Sequence, residues 1–238
     1  MTEITYSIDD KIFDMFPGYV RGVVIAHAVV NGESPPDLVE MLRSAEVSVR
    51  DRLTLEEVAI YPRIASWREA YRAFGAQPSK FRSSIEAMVR RVLRDQELPL
   101  INALVDIGNV FSLKYLVPTG GHAIDVVTGD ITLRPATGKE EFVAFGSEKV
   151  EHPSPGEIIF TEGDKALTRR WTWRQANHTL TLPDTKAIEF NIDGLPPVPE
   201  SEVREICEEL ADQIKNFCGG STRWDILSRD NPEIHISS

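Results

Sequence analysis

The spacing of apolar positions changes period along the chain. Residues 18–30 (YVRGVVIAHAVVN) are crowded with Val and Ile and partly alternate, which predicts a buried strand ending at an Asn31-Gly32 turn. From Pro35-Pro36 the spacing turns helical. Leu38, Leu42, Ala45 and Val49 share one face of a helix of about 16 residues, with proline in its first turn. Thr54 and Glu57 read as a capping box that starts the next helix, and Pro62 interrupts it because its ring clashes with the preceding turn. In RIASWREAYRAFGA, Ile64, Trp67, Tyr71 and Phe74 recur at helical spacing and the pattern stops at Gly75. Residues 78–84 (PSKFRSS) form a basic linker, and Ser83 with Glu86 is a second capping box that launches IEAMVRRVLRD.

The stretch over residues 98–125, LPLINALVDIGNVFSLKYLVPTGGHAID, is the one around which the rest of the chain is organised. It opens at Pro99, runs apolar, breaks at Pro118-Thr119-Gly120-Gly121 and delivers His122 on a predicted Gly-Gly turn. Asp106, Asn109 and Lys114 interrupt the apolar run. Burying such groups unpaired costs roughly 2–7 kcal/mol, so they are satisfied internally or line a pocket.

Beyond it the period falls to two. AIDVVTGDITLRPA reads as a β-hairpin turning at Thr128-Gly129-Asp130, and further segments of Val, Ile, Phe, Trp and Thr continue to residue 194, separated by Gly, Pro and Asp. The whole makes a β region of roughly five to seven strands. LPPVP (195–199) is a stiff connector, Ser201 is the predicted cap of a helix over 202–218, and residues beyond Trp224 read as a loosely held tail. Helices segregated from strands predict an α+β fold: a helical N-terminal half packed on a mostly antiparallel multi-stranded β region, with a C-terminal helix.

Charge narrows the partners. The net charge of −11 disfavours indiscriminate binding to phosphate backbones, because that affinity comes from Lys and Arg displacing counterions. Yet Arg63, Arg68, Arg72, Lys80, Arg82, Arg90, Arg91 and Arg94 cluster in sequence and leave room for a local basic face. Arg82 stands just ahead of a predicted helix N-terminus, where free N–H groups and the helix dipole favour a carboxylate or phosphate. No apolar run approaches the roughly 20 residues of a membrane span, and the acidic N-terminus is unlike a signal peptide. Cys207 and Cys218 lie too far apart on one helical stretch to bridge, as expected of reduced thiols in a cytoplasmic protein.

No phosphate loop, dinucleotide fingerprint, nucleophile elbow or zinc-type spacing is present, so neither a metal nor another cofactor is expected. His27, inside the first strand, reads as a core histidine. There remain polar residues in apolar settings: Asp106, Asn109, Lys114 and His122, then RRWTWRQANH. Read as one strand, the latter puts Arg170, Thr172 and Arg174 on one face and Arg169, Trp171, Trp173 and Gln175 on the other. Such surfaces stack bases or hold carboxylates, and they also occur as ordinary sheet faces.

At these residues LVDIGNVFSLKYLVPTGGHAIDV resembles a segment of the bacterial phenylalanyl-tRNA synthetase β subunit, with Asp106, Asn109, His122 and Asp125 on its pattern. Together with FRSS, LP-IN and RRWTWRQ, it resembles still more strongly free-standing proteins made only of that subunit's B3/B4 domain. The resemblance covers roughly residues 60–195 and implies a single B3/B4-like domain over 1–238. The strand and helices of residues 18–60 and the helix over 201–218 are expected to pack on that core. It also implies a cytoplasmic, trans-acting protein that hydrolyses mischarged aminoacyl-tRNA at the 3′ end, with no role for membrane or DNA and without the parts of a complete ligase. Asn109 and His122 would be the catalytic pair. Arg82, Ser83, Lys114, Gly120, Gly121, Arg170, Trp171, Trp173, Arg174 and Gln175 would bind substrate, with the N–H groups of Gly120 and Gly121 as oxyanion donors. The related editing site carries a Gly-Gly-Glu segment, whereas WRQANHT here has no acidic residue at that place. A non-catalytic RNA- or tRNA-binding module and a small-molecule amino-acid binder are the alternative readings.

Overall fold

A computed structural model describes residues 3–237, so Met1, Thr2 and Ser238, the ends of the acidic N-terminal stretch and of the predicted tail, lie outside the described residues. In chain order the elements are β1 (Glu3–Ile8), α1 (Asp10–Met15), β2 (Val20–His27), α2 (Pro36–Arg52), α3 (Pro62–Ala73), α4 (Ser84–Val92), α5 (Ala103–Tyr115) and β3 (Thr119–Ala123). Then come β4 (Ile131–Pro135), β5 (Phe142–Val143), β6 (Val150–Glu151), β7 (Ile158–Glu162), β8 (Lys165–Arg169), β9 (Arg174–Gln175), β10 (Ala187–Gly194), α6 (Glu200–Cys218), β11 (Ser221–Leu227) and β12 (Glu233–Ser237). The α+β class holds. No described helix is long and apolar enough to cross a membrane.

Every residue of β10 is buried, so this strand must be covered on both faces. It lies inside a four-stranded sheet ordered β11-β2-β10-β3. Alternation splits its side chains. Ile188, Phe190 and Ile192 face α5 and α6, where glycine allows close approach: a Cβ on Gly22 would lie 2.2 Å from Cys207 Sγ, and one on Gly108 would lie 3.1 Å from Phe190. Glu189, Asn191 and Asp193 face the other way, toward a six-stranded sheet ordered β12-β1-β4-β7-β8-β9. The layers are thus helices, a four-stranded sheet and a six-stranded sheet, and the polar side of β10 lies between the sheets.

Several expectations are corrected. Pro62 does not interrupt a helix but opens α3, where proline's missing N–H is harmless. Glu57 does bond the Thr54 backbone N–H at 2.8 Å, but the chain between them forms turns. Residues 123–136 are not a hairpin: β3 pairs with β10 and β4 with β1 and β7, in different sheets. The Thr128-Gly129 corner is held by the Glu162 carboxylate, which accepts both backbone N–H groups at 2.8 and 3.0 Å. The last helix begins at Glu200, ahead of Ser201. Beyond Trp224 the chain is ordered through Ser237, with β11 pairing along β2 and β12 along β1.

Candidate functional site

Strand β3 is the free edge of the four-stranded sheet, and its two glycines sit within it rather than on a turn. The break falls earlier, at Leu116, whose φ of 54° ends α5 in the left-handed region. Ser112 then ties helix to strand, its hydroxyl donating to Thr119 O at 3.1 Å and accepting from Thr119 N at 3.2 Å. Across the β3–β10 ladder, His122 opposes Glu189 and Gly120 opposes Asn191, so all four share the inter-sheet face. Gly121 points the other way, and a Cβ there would lie 2.8 Å from Ile188 Cδ1. Around the Gly120 position there is open space.

Ladder parity decides which backbone donors are free. Thr119 N–H goes to Ser112, Ala123 N–H goes to Thr179 O at 3.1 Å, and Gly121 O accepts from the Gln175 amide at 3.1 Å. Odd-numbered residues of β3 therefore turn their backbone groups outward. The N–H of Gly121 faces the open edge, while that of Gly120 is committed to β10.

Beside this edge is a cavity of about 190 Å³ lined by Asn109, Gly120, Gly121, His122, Trp173 and Gln175, with Arg21, Asn191 and Asp193 deeper in. A second, more apolar cavity of about 390 Å³ shares Asn109, Gly120, Gly121 and Gln175 and extends over Leu104, Val105 and Leu182. His122 is 5% exposed. Its Nδ1 lies 2.7 Å from Thr179 Oγ1 and 3.2 Å from Gln175 Nε2, and its Nε2 lies 3.1 Å from Thr168 Oγ1. Burial, aided by the Arg21 and His178 charges, lowers its pKa to about 3, so the ring is neutral.

The cavity floor is an ionic cluster that periodicity alone did not single out. Arg21, 1% exposed, pairs with Asp193 at 2.8 Å and donates to the Tyr6 and Tyr19 hydroxyls at 2.9 Å each. The Tyr6 hydroxyl in turn donates to Asn191, whose amide donates to Glu189 at 3.2 Å. Burial, partly offset by Arg21, raises Glu189 to about 8, and its Oε2 has no hydrogen-bond partner. One neutralised carboxyl, one ion pair and a neutral imidazole leave the floor without net charge. Among the described residues, no group of three or more His, Cys, Asp or Glu could hold a metal ion.

Residues 66–219 match the family model for the B3/4 domain. This chain belongs to the B3/4 domain family. Among solved structures, the B3/4 chain is similar to an N-terminal fragment of the phenylalanyl-tRNA synthetase β subunit from Pyrococcus horikoshii, at 12% identity and a TM-score of 0.49. The match covers 99% of this chain and 55% of that one, so the chain spans about half of that fragment. No curated protein matches the sequence.

The B3/4 fold brings together eight of the residues expected from sequence: Asn109, Gly120, Gly121, His122, Trp171, Trp173, Arg174 and Gln175. Four do not line this cavity. Lys114 is turned outward to Glu209. Ser83 is buried as the cap of α4, accepting from Glu86 N at 3.4 Å. Arg82 leans toward Glu86, already engaged by Arg68 and Arg90, and the Ser84 N–H is not free for an anion because it donates to Thr172 O at 2.9 Å. Arg170 stands behind Trp173, in a separate recess. Asp106 is internal, accepting from Ser34 Oγ at 2.6 Å and Ile101 N at 3.2 Å.

Nor is RRWTWRQ one strand. After Arg169 the chain turns through Arg170 and Trp171, at φ 47° and 62°, and Thr168 and Arg169 pair back with Gln175 and Arg174. The turn drives Trp171 into the core among Phe16, Tyr19 and Trp67, with its Nε1 donating to Asp193 at 3.3 Å. Arg169 is buried against Glu157, both Arg–carboxylate contacts at 2.9 Å. Tyr6, Arg21, Glu189 and Asp193 escape a reading of periodicity because pairing joins them: Asp193 lies opposite Arg21 on the neighbouring strand, and Tyr6 reaches Arg21 and Asn191 from the other sheet. Arg21 inside the Val-rich residues 18–30 was the available signal.

Proposed function

We propose that this cavity hydrolyses the ester of a mischarged aminoacyl-tRNA, acting in trans on the 3′ end. The observation that carries the reading is the convergence of Asn109, His122 and the outward N–H of Gly121 on one cavity at an unpaired strand edge. An aminoacyl ester is already activated, so hydrolysis asks for a placed water and stabilisation of the developing oxyanion. The Gly121 N–H supplies the oxyanion donor. The Asn109 amide and the fixed neutral ring of His122 position the ester and water, while Trp173 and Arg174 at the rim face the nucleotide.

One observation favours a second reading, a tRNA-binding module without turnover. Both ring nitrogens of His122 are engaged by protein hydroxyls, so no lone pair is free to take a proton. Deacylation assays on a panel of aminoacylated tRNAs, including near-cognate and D-amino-acid pairs, separate the two. The hydrolase reading expects turnover on at least one pair and a loss of about a hundredfold or more in both His122→Ala and Asn109→Ala. Tight tRNA binding with no turnover on any pair leaves the module reading standing instead.

A further inference from the structure

Arg170 is a predicted substrate contact that the fold places elsewhere, nearly buried, with its side-chain donors unspent. Its guanidinium sits in the corner of two perpendicular rings, 3.6 Å from the Phe81 centroid and 4.4 Å from that of Trp173. Its side chain is 11% exposed and Nη1 is buried without a hydrogen-bond partner. The nearest carboxylate oxygen, Glu157 Oε2, is 3.6 Å from Nη2, beyond hydrogen-bond range, and that carboxylate is already held by Arg169 at 2.9 Å through both oxygens. A guanidinium this enclosed ordinarily spends its N–H groups on acceptors. The recess in front of it measures about 120 Å³, well above the roughly 30 Å³ share of one water molecule, and Ser154 lines it together with Glu157, whose carboxylate is paired with Arg169. Positions forming its wall, Phe74 to Ala76 and Phe81, are interleaved in sequence with the exposed cations Arg72, Lys80 and Arg82. On a chain of net charge −11 this is a local exception.

We propose that the Arg170 recess is a phosphate subsite that holds one backbone phosphate of a single-stranded RNA. The aromatic corner fixes the fork, Ser154 adds a hydroxyl, and the surrounding cations draw the strand in. Trp173 is shared, since one of its neighbours is Arg170 and it also lines the His122 cavity. A strand whose 3′ end enters that cavity would therefore pass the recess. In this respect the proposal builds on the function proposed above, but it is tested by binding rather than turnover.

The probes are inorganic phosphate and a single-stranded RNA octamer, titrated into the full chain and followed by tryptophan fluorescence, which Trp173 reports. For the octamer, Arg170→Gln is expected to weaken binding roughly tenfold and to reduce the slope of log K against log salt by about 0.7, the value of one phosphate contact on a single strand. Arg170→Lys is expected to keep the slope while losing part of the affinity, and it carries the comparison if the Gln variant does not fold. Equal affinity and slope in wild type and both variants overturns the proposal. A phosphate response lost in the variants, with octamer binding unchanged, overturns RNA as the source and leaves an anion site only. Octamer binding that depends on Arg170 in a chain that deacylates nothing supports this subsite while sinking the hydrolase reading.

Discussion

Two buried residues give the inter-sheet space its pH behaviour. Glu189 holds its proton up to about pH 8 when folded, whereas in the unfolded chain it ionises near 4.5. Between those values the native state binds the extra proton, so stability falls as pH rises and is fully present only below the lower value. His122 has the opposite sign: its folded value of about 3 lies below the unfolded 6.5, so its contribution is present above 6.5 and is lost as pH falls toward 3. The two slopes oppose each other from 4.5 to 6.5, and Glu189 acts alone from 6.5 to 8. Urea unfolding across that upper window is expected to show a loss on the order of 2 kcal/mol in the wild type that Glu189→Gln abolishes. A slope that persists in the variant would assign the titration to another group. His122 itself was legible in the sequence as a site candidate. Its neutrality was not, because that depends on Thr168 and Thr179, which arrive from distant segments.

Among the elements, β3 shows why neighbouring glycines need not do the same work. A Cβ on Gly121 would press on Ile188 and Phe190 beneath the helices, whereas one on Gly120 would project into open space on the cavity side. Gly121→Ala is expected to cost about 1–3 kcal/mol through overpacking. Gly120→Ala is expected to unfold within about 0.5 kcal/mol of wild type yet bind and turn over substrate less well. Thermal melts beside deacylation assays separate these outcomes, and a destabilised Gly120→Ala with a normal Gly121→Ala would reverse the facing of the two residues. Sequence periodicity found α2, α3, α4 and α5 because each carries an apolar stripe facing the core. It failed in RRWTWRQ because two consecutive non-glycine residues in the left-handed region interrupt the alternation. It also failed at residues 123–136, where the strands on either side of the turn belong to different sheets.

At the scale of the whole molecule, the chain's ends close the layers that its middle builds. β12 pairs with β1 in one sheet and β11 with β2 in the other, so the last residues clamp both layers. Removing residues 221–238 is expected to leave an unfolded or aggregating product, read by circular dichroism and size exclusion; a monomeric, folded product would show that these strands are dispensable. The fold class was readable from the segregation of helical and strand periods, but the sheet partners of the first and last strands carry no local signal. The open border of β3 has one more consequence. A row of outward backbone groups invites a strand from any neighbouring polypeptide. Here the border is five residues long, and Ser112, Gln175 and Thr179 already engage the outward groups of Thr119, the Gly121 carbonyl and the Ala123 N–H. The contacts that leave the Gly121 N–H for a ligand therefore also blunt the edge, so β3 offers another chain no continuous ladder to pair with.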